Sequence, residues 1–140
     1  MKRVKVAWIV DDDDGDVFLA KHYLGSSEQY EVICVATDGL EALQRLEDRS
    51  LAESVCPGGS RPDVIFLDIN MPRMNGLEFL ERASQLGVVN ETTVVVMLTS
   101  SALDQDFAEA KKYDFVRDYL VKPISAEAAQ RVADRFGSEE

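Results

Sequence analysis

Stretches of continuous apolar residues alternate along this chain with stretches in which apolar residues recur every three or four positions. The continuous runs predict strands of a parallel sheet that is covered on both faces, and the recurring pattern predicts helices that pack against it. The predicted strands are Val4–Val10, Glu31–Ala36, Asp63–Asp68, Thr92–Leu98 and Arg117–Val121. The predicted helices are Gly15–Leu24 (ended by Gly25), Leu40–Leu46, Gly76–Leu86, Leu103–Tyr113 and a last helix that runs from a Ser125 cap to about Phe136.

Strands that alternate with helices predict an α/β fold, a doubly wound five-stranded parallel sheet with helices on both faces. The expected strand order is the flavodoxin-like 2-1-3-4-5, whose switch point lies between the first and third strands. Residues 47–62 lose the periodicity, and we expect a loop there that partly extends the preceding helix. With 140 residues and no linker, we expect a single domain over residues 1–140 with its core at about 4–136.

Composition narrows the classes of function. The chain has 26 acidic and 15 basic residues and a net charge of -11, which disfavours binding to a phosphate backbone. No apolar run reaches the roughly 20 residues of a membrane span, and the start of the chain lacks the features of a signal peptide. Cys34 and Cys56 show no ligand spacing, so we expect two reduced thiols without a function in a cytoplasmic protein.

Polar residues follow the predicted strands at the points where each strand ends. Asp11 and Asp12 follow the first strand, Asp68 ends the third, Thr99 follows the fourth and Lys122 follows the fifth. Each residue alone is explained as a turn or capping residue. Because the carboxyl ends of parallel strands lie at one edge of the sheet, together they predict a functional site there.

Three carboxylates within about 5 Å of one another repel by roughly 3 kcal/mol per pair at an effective dielectric constant near 20. A hard divalent cation removes this repulsion, and Mg²⁺ prefers carboxylate and carbonyl oxygens, so the carbonyl of Asn70 is a candidate neutral ligand. With the metal in place, Asp68 is a candidate nucleophile toward phosphorus. Lys122 and Thr99 are the residue types that stabilise phosphoryl oxygens.

The other acidic residues near the first strand have local explanations. Asp14 and Asp16 fall in the first turn of a helix, where the helix dipole favours negative charge, and we interpret them as structural. For Asp13 a structural role and a longer-range effect on the metal site remain equally open. His22 lies in the middle of a helix and is interpreted as an ordinary helical residue.

The motifs WIVDDDD, VIFLDINMPRMNGLEFL, LTSSA and YLVKPIS resemble those of the receiver domain of two-component response regulators over residues 4–136. This resemblance implies that Asp68 is the phosphoacceptor. It implies that Asp11 and Asp12 form the acidic pair that holds Mg²⁺, with Asp12 as the more direct ligand. The carbonyl of Asn70 would complete the protein ligands of the metal.

The resemblance also implies a switch. Thr99 is similar to the hydroxyl residue that reorients toward the phosphoryl group, and Tyr119 to the aromatic residue that turns inward on activation. Lys122 is similar to the ion-pairing lysine, and the family often has a cis peptide bond before the following residue, Pro123. Ser100 is small, as access to the phosphoacceptor usually requires.

Two local features depart from the family pattern. Asn75 stands where Asp is more usual, and we expect little effect at this turn position. The loop around residues 56–61 is longer than a minimal receiver needs, so it either contacts a partner or is merely tolerated.

We expect no output domain after Phe136, because only four residues follow it. The chain would then be similar to stand-alone regulators. Its partners would be a sensor histidine kinase or a histidine phosphotransfer protein and a downstream protein. The downstream protein would bind the face formed by residues 103–113, 117–121 and 125–136, and the chain would be a monomer or a phosphorylation-dependent homodimer.

Two other functions remain open at this stage. A phosphatase of the aspartyl-phosphate type generally has a second Asp two residues after the nucleophile, but Asn70 stands there and cannot act as that acid. A receiver-like interaction scaffold that works without phosphorylation is disfavoured by the complete set of site residues. The leading hypothesis is a signalling switch that catalyses only its own phosphorylation and dephosphorylation.

Overall fold

A parallel sheet forms the centre of the molecule. The structure, a computed structural model, describes residues 1–100 and 106–139. The sheet has the order β2-β1-β3-β4-β5, and a two-residue strand, β6, pairs antiparallel with the start of β1. The predicted topology is therefore confirmed. The strands are β1 (Lys2–Val10), β2 (Tyr30–Ala36), β3 (Val64–Asp68), β4 (Val94–Thr99), β5 (Val116–Val121) and β6 (Ser138–Glu139).

Helices connect the strands and cover both faces of the sheet. They are α1 (Asp14–Ser26), α2 (Gly39–Glu47), α3 (Arg49–Val55), α4 (Gly76–Leu86), α5 (Asp106–Ala110) and α6 (Ala126–Phe136). The predicted cap of the last helix is confirmed, since the hydroxyl of Ser125 accepts a hydrogen bond from the backbone N–H of Ala128 at 3.0 Å. The predicted helix Leu103–Tyr113 ends earlier than expected, at Ala110, and its first residues, 103–105, lie outside the described residues.

Two further predictions about helices are wrong. Helix α1 does not stop at Gly25 but continues to Ser26, because the backbone there stays helical up to Ser27. The region 47–62 is not simply a loop: the side chain of Asp48 accepts a hydrogen bond from the backbone N–H of Leu51 and begins the separate helix α3. Only Ala52 of α3 is buried, so this helix carries almost no apolar periodicity that a sequence pattern could show.

The apolar core lies on both faces of β3, every residue of which is buried. On one face Ile65 and Leu67 belong to the cluster that includes Phe79 and Leu80 of α4. On the other face Phe66 belongs to the cluster that includes residues of α1 and α6. This two-sided burial explains why the strand is continuously apolar, and it holds the end of β3 in a fixed position.

The two cysteines are joined by a disulfide bond, so the prediction of two reduced thiols is wrong. Cys34 lies in β2 and Cys56 directly follows α3, and their Cα atoms are 5.9 Å apart. Gly59 covers the bond so closely that a Cβ atom there would overlap the Sγ atom of Cys34. The indole Nε1 of Trp8 donates a hydrogen bond of 2.7 Å to the carbonyl oxygen of Gly59. The segment between α2 and β3, which contains Gly59, is thus hydrogen-bonded to β1.

Within residues 1–100 and 106–139, no helix combines the length and the apolar character that crossing a bilayer requires.

Candidate functional site

Three carboxylates converge where β1 and β3 end. Asp11, Asp12 and Asp68 each offer an oxygen atom, and these atoms lie within 4.8 Å of one another. Asp11 is 2% exposed and Asp68 is 4% exposed, whereas Asp12 faces solvent. The parallel pairing of β1 with β3, which aligns Val10 with Leu67, brings these strand ends side by side.

The turn after β3 needs a glycine. The backbone N–H of Gly76 donates a hydrogen bond of 2.8 Å to the carbonyl of Ile69 and closes the turn. A Cβ atom at Gly76 would lie 2.5 Å from the carbonyl oxygen of Asp68, so a side chain there would displace the backbone of the candidate acceptor. Asn75 begins α4 with a capping box that it shares with Glu78. The Asn at this position therefore caps the helix.

A second set of contacts anchors the same turn to α2. Asp38, the buried capping residue of α2, accepts a hydrogen bond of 2.6 Å from Nε of Arg73. Burial raises the pKa of Asp38, but the bond to Arg73 and the backbone N–H of Glu41 outweigh it and hold the pKa below its usual value. This contact was not predicted, because nothing in the local pattern links residues 35 positions apart.

Lys122 reaches into the acidic cluster from the end of β5. Its Nζ atom lies 3.3 Å from a carboxylate oxygen of Asp11, 3.3 Å from one of Asp68 and 2.8 Å from one of Asp16. The backbone N–H of Lys122 donates a hydrogen bond of 2.7 Å to the carbonyl of Thr99. The peptide bond to Pro123 is cis, as predicted. The structure therefore brings the lysine to the two buried carboxylates.

The electrostatics of the cluster show an excess of negative charge. Burial and the adjacent carboxylate of Asp11 raise the pKa of Asp68 to about 6, although Lys122 opposes this. Burial also raises the pKa of Asp11. Burial lowers the pKa of Lys122, but its bond to Asp16 and the charges of Asp11 and Asp68 outweigh this and leave the pKa above its usual range. One ammonium group does not neutralise these carboxylates, so the site suits an additional cation.

The acids at the start of α1 separate into two roles. Asp13 is the capping residue: its carboxylate accepts a hydrogen bond of 2.8 Å from the backbone N–H of Asp16. Asp14 is exposed in the first turn, as predicted. The structural interpretation of Asp16 is incomplete, because its carboxylate also binds Lys122. This contact was not predicted either, since an acid in the first turn of a helix already has a sufficient local explanation.

The remaining predicted residues lie in or just after β3, β4 and β5. Thr99 is buried at the end of β4, beside β3, and Ser100 after it is exposed. Tyr119 is half-buried in β5, and Nζ of Lys111 lies 6.0 Å from its ring centroid. Asn70 is exposed two residues after Asp68, and the role of its carbonyl stays a prediction.

Known proteins share this architecture. A family model described as the response regulator receiver domain matches residues 7–133, a range that includes every strand end of the acidic cluster. The protein-glutamate methylesterase/protein-glutamine glutaminase of Pyrococcus horikoshii is 32% identical over 129 residues, which are 89% of this chain and 30% of that protein. The chain spans less than a third of the length of the curated relatives it matches, at 25%, 30% and 28%.

Solved structures match over nearly the whole chain. A two-component response regulator from Cytophaga hutchinsonii is 28% identical, with a TM-score of 0.81 and coverage of 96% of this chain and 98% of that chain. The Mn(2+)-bound form of response regulator Rcp1 is also 28% identical, with a TM-score of 0.71 and coverage of 93% and 90%. The fold of this chain is therefore that of solved response regulators.

Proposed function

The chain belongs to the family of response regulator receiver domains, and from this premise we propose that it is a signalling switch that is phosphorylated on Asp68. The donor would be a phosphohistidine on a sensor histidine kinase or on a histidine phosphotransfer protein. The observation that carries the proposal is the position of Lys122, whose Nζ atom lies 3.3 Å from Asp68 inside a cluster of carboxylates. A lysine at this position can neutralise a phosphoryl group on Asp68.

A divalent cation fits the cluster. Asp11, Asp12 and Asp68 supply hard oxygen donors within 4.8 Å of one another, and the raised pKa of Asp68 indicates that negative charge there is not fully compensated. Mg²⁺ would be held by these carboxylates and by the carbonyl of Asn70. When bound, it would neutralise charge on the acceptor and on the phosphoryl oxygens. The similar response regulator Rcp1 was solved in a Mn(2+)-bound form, which supports a divalent cation as the ligand class.

The transfer step follows from the residues at the strand ends. A carboxylate oxygen of Asp68 attacks phosphorus, the bond from phosphorus to the imidazole nitrogen breaks, and its electron pair stays on the imidazole. Lys122 and the hydroxyl of Thr99 stabilise the transferring oxygens. Hydrolysis of the aspartyl phosphate by water returns Asp68 and inorganic phosphate. In this proposal the receiver domain turns over only its own phosphoryl group.

Thr99 and Tyr119 would transmit the structural change that follows phosphorylation of Asp68. Thr99 joins the site to β5 through its carbonyl, which accepts the backbone N–H of Lys122, and Tyr119 lies three residues before this point. Reorientation of Thr99 toward a phosphoryl group would alter the face that contains α5, β5 and α6. We propose this face as the contact for a downstream protein in the cytoplasm, reached by the chain as a monomer or as a phosphorylation-dependent homodimer.

The donor would approach the site from the side of α1. Phe18, two residues after Asp16 in this helix, is 68% exposed. An exposed aromatic side chain on the helix that carries Asp16 suits contact with a protein partner. With a net charge of -11, nucleic acid is not proposed as a partner.

Incubation with acetyl phosphate and Mg²⁺ tests the proposal. Intact-mass measurement should show one added phosphoryl group on the wild type and none on the Asp68→Asn variant. Beryllofluoride should change the spectrum of the wild type alone. An equal response from both proteins would refute the assignment of Asp68. Partner binding that is the same with and without beryllofluoride would favour the interaction scaffold.

A further inference from the structure

The ammonium group of Lys122 contacts three carboxylates. The shortest contact is with a residue of a helix, whereas the other two residues lie at strand ends. Asp16 lies in α1, and its carboxylate is 2.8 Å from Nζ of Lys122, compared with 3.3 Å for both Asp11 and Asp68. The ammonium group has three N–H donors, which matches three acceptors. Each carboxylate can therefore hold one donor.

The helix terminus explains why the carboxylate of Asp16 is available. In α4 the acid at the third helical position, Glu78, accepts the backbone N–H of Asn75 at 3.1 Å and completes the capping box. In α1 the corresponding N–H, that of Asp13, instead donates to Asp11 at 2.9 Å. Asp16, at the third position of α1, therefore does not close a capping box and turns toward Lys122.

Asp16 also differs from the other two partners in its relation to the cation site. Among the described residues, the group that could hold a metal consists of Asp11, Asp12 and Asp68. Two of the three partners of Lys122 thus belong to that group, and one of these is also the phosphoacceptor. Asp16 is the partner whose carboxylate stays free to bind the lysine when a cation and a phosphoryl group occupy the others.

We propose that Asp16 is a positioning residue for the phosphorylation step, an inference that rests on the proposed function. Its backbone is fixed by the cap that Asp13 makes, and its carboxylate holds the ammonium group of Lys122 beside Asp68. The side chain of Lys122 is then already in the conformation in which its ammonium group can bind the incoming phosphoryl oxygens. Without Asp16 the long side chain of Lys122 is less well placed in the transition state.

The rate of labelling by acetyl phosphate tests this role. For Asp16→Asn we expect the limiting rate to fall roughly fivefold, because one charge-assisted contact to a partly exposed lysine is lost. The acetyl phosphate concentration that gives half the limiting rate should stay unchanged. Asp16→Glu should recover most of the rate. The matched control is Asp14→Asn, which removes the same charge from the same helical turn and should leave the rate unchanged.

Two further measurements separate positioning from a structural effect. In a Lys122→Met background, adding Asp16→Asn should cause no further loss of rate, because Asp16 acts through Lys122. In ¹⁵N-labelled protein without phosphoryl donor, the side-chain ammonium signal of Lys122 should be visible in the wild type and in Asp14→Asn. It should broaden or shift in Asp16→Asn. Thermal unfolding of each variant checks that the fold is retained.

The outcomes distinguish this inference from the proposed function. If the wild type is labelled and Asp68→Asn is not, a rate for Asp16→Asn equal to that of the wild type overturns the inference alone. An equal loss in Asp14→Asn, or a further loss in the Lys122→Met background, also overturns it. If the wild type takes up no phosphoryl group, both the proposed function and the inference fail.

Discussion

Among individual residues, Asp68 shows the strongest consequence of burial beside like charge. Its pKa of about 6 lies above the usual aspartate value of 3.8, so the folded state binds this proton more tightly than the unfolded state. The stability that the proton contributes is fully present below about pH 4 and is lost as the pH rises through 6. An ionised Asp68 therefore destabilises the folded chain at neutral pH in the absence of a cation.

The Asp68→Asn variant should accordingly be more stable than the wild type at pH 7.5 with a chelator present. We expect a difference on the order of 2 kcal/mol in the free energy of unfolding, which should nearly vanish at about pH 4. Urea unfolding of both proteins at the two pH values measures it. Equal stabilities at the higher pH would show that Lys122 already compensates the charge of Asp68.

Gly76 and Gly25 allow the same substitution, glycine to alanine, to be compared at a crowded and at an open position. Alanine at Gly76 places a Cβ atom 2.5 Å from the carbonyl oxygen of Asp68, whereas at Gly25 nothing lies within 4 Å. We expect Gly76→Ala to lower the free energy of unfolding by about 2 kcal/mol and to slow labelling of Asp68. Gly25→Ala, within a helix, should raise the free energy by roughly 0.5 kcal/mol. Denaturant unfolding and intact mass measure both effects, and comparable labelling by the two variants would contradict the role of Gly76.

Residue types at strand ends were enough to predict that the side chains at those positions come together at one edge of the sheet. Asp11, Asp68 and Lys122 stand at or directly after the ends of strands, and parallel pairing brings those positions together regardless of side-chain detail. The contact of Asp16 could not be predicted in this way. It depends on which neighbouring carboxylate accepts the backbone N–H of Asp13, and the hydrophobic pattern of the sequence does not determine this.

At the scale of elements, the insertion between α2 and β3 is the part of the fold that sequence patterns describe least well. Its helix α3 has two exposed apolar residues, Leu51 and Val55, and buries only Ala52. No periodicity marks such a helix. The disulfide between Cys34 and Cys56 also escaped prediction, because its partners are 22 residues apart and share no recognisable spacing.

The disulfide should stabilise the chain by closing the segment between Cys34 and Cys56, which are 22 residues apart. Chain-entropy arguments give roughly 3 kcal/mol for a loop of this length. We expect Cys56→Ala, or the wild type in reductant, to lose about that much free energy of unfolding. Thiol titration of the unfolded wild type without reductant should find no free thiol, and two free thiols would refute the bond.

Trp8 offers a local probe of the same bond. Its indole donates to the carbonyl of Gly59, which covers the disulfide, and it is the chain's one tryptophan. Its fluorescence should therefore change on reduction before global unfolding. The Cys56→Ala variant is the control, because reductant should leave its fluorescence unchanged.

At the scale of the whole molecule, the order of elements carries most of the information about the fold. Continuous apolar runs such as β3 are compatible only with burial on both faces, and right-handed crossovers then leave few possible strand orders. That is why the 2-1-3-4-5 order could be predicted from the sequence, whereas the C-terminal ends of α1 and α5 and the separate helix α3 could not. The same topology collects negative charge at one edge of a molecule whose net charge is already -11.

Mg²⁺ should stabilise the chain beyond what a general increase in ionic strength provides. Any salt screens the repulsion that a net charge of -11 produces, whereas a bound cation adds RT ln(1 + [L]/Kd), about 2.7 kcal/mol at one hundred times Kd. We therefore expect MgCl₂ to raise the denaturation midpoint of the wild type more than NaCl at equal ionic strength. Asp12→Asn, in the cluster, should lose most of this excess, and Asp14→Asn should keep it because Asp14 lies outside the cluster. If NaCl reproduced the whole effect, the acidic edge would be screened by salt without binding Mg²⁺.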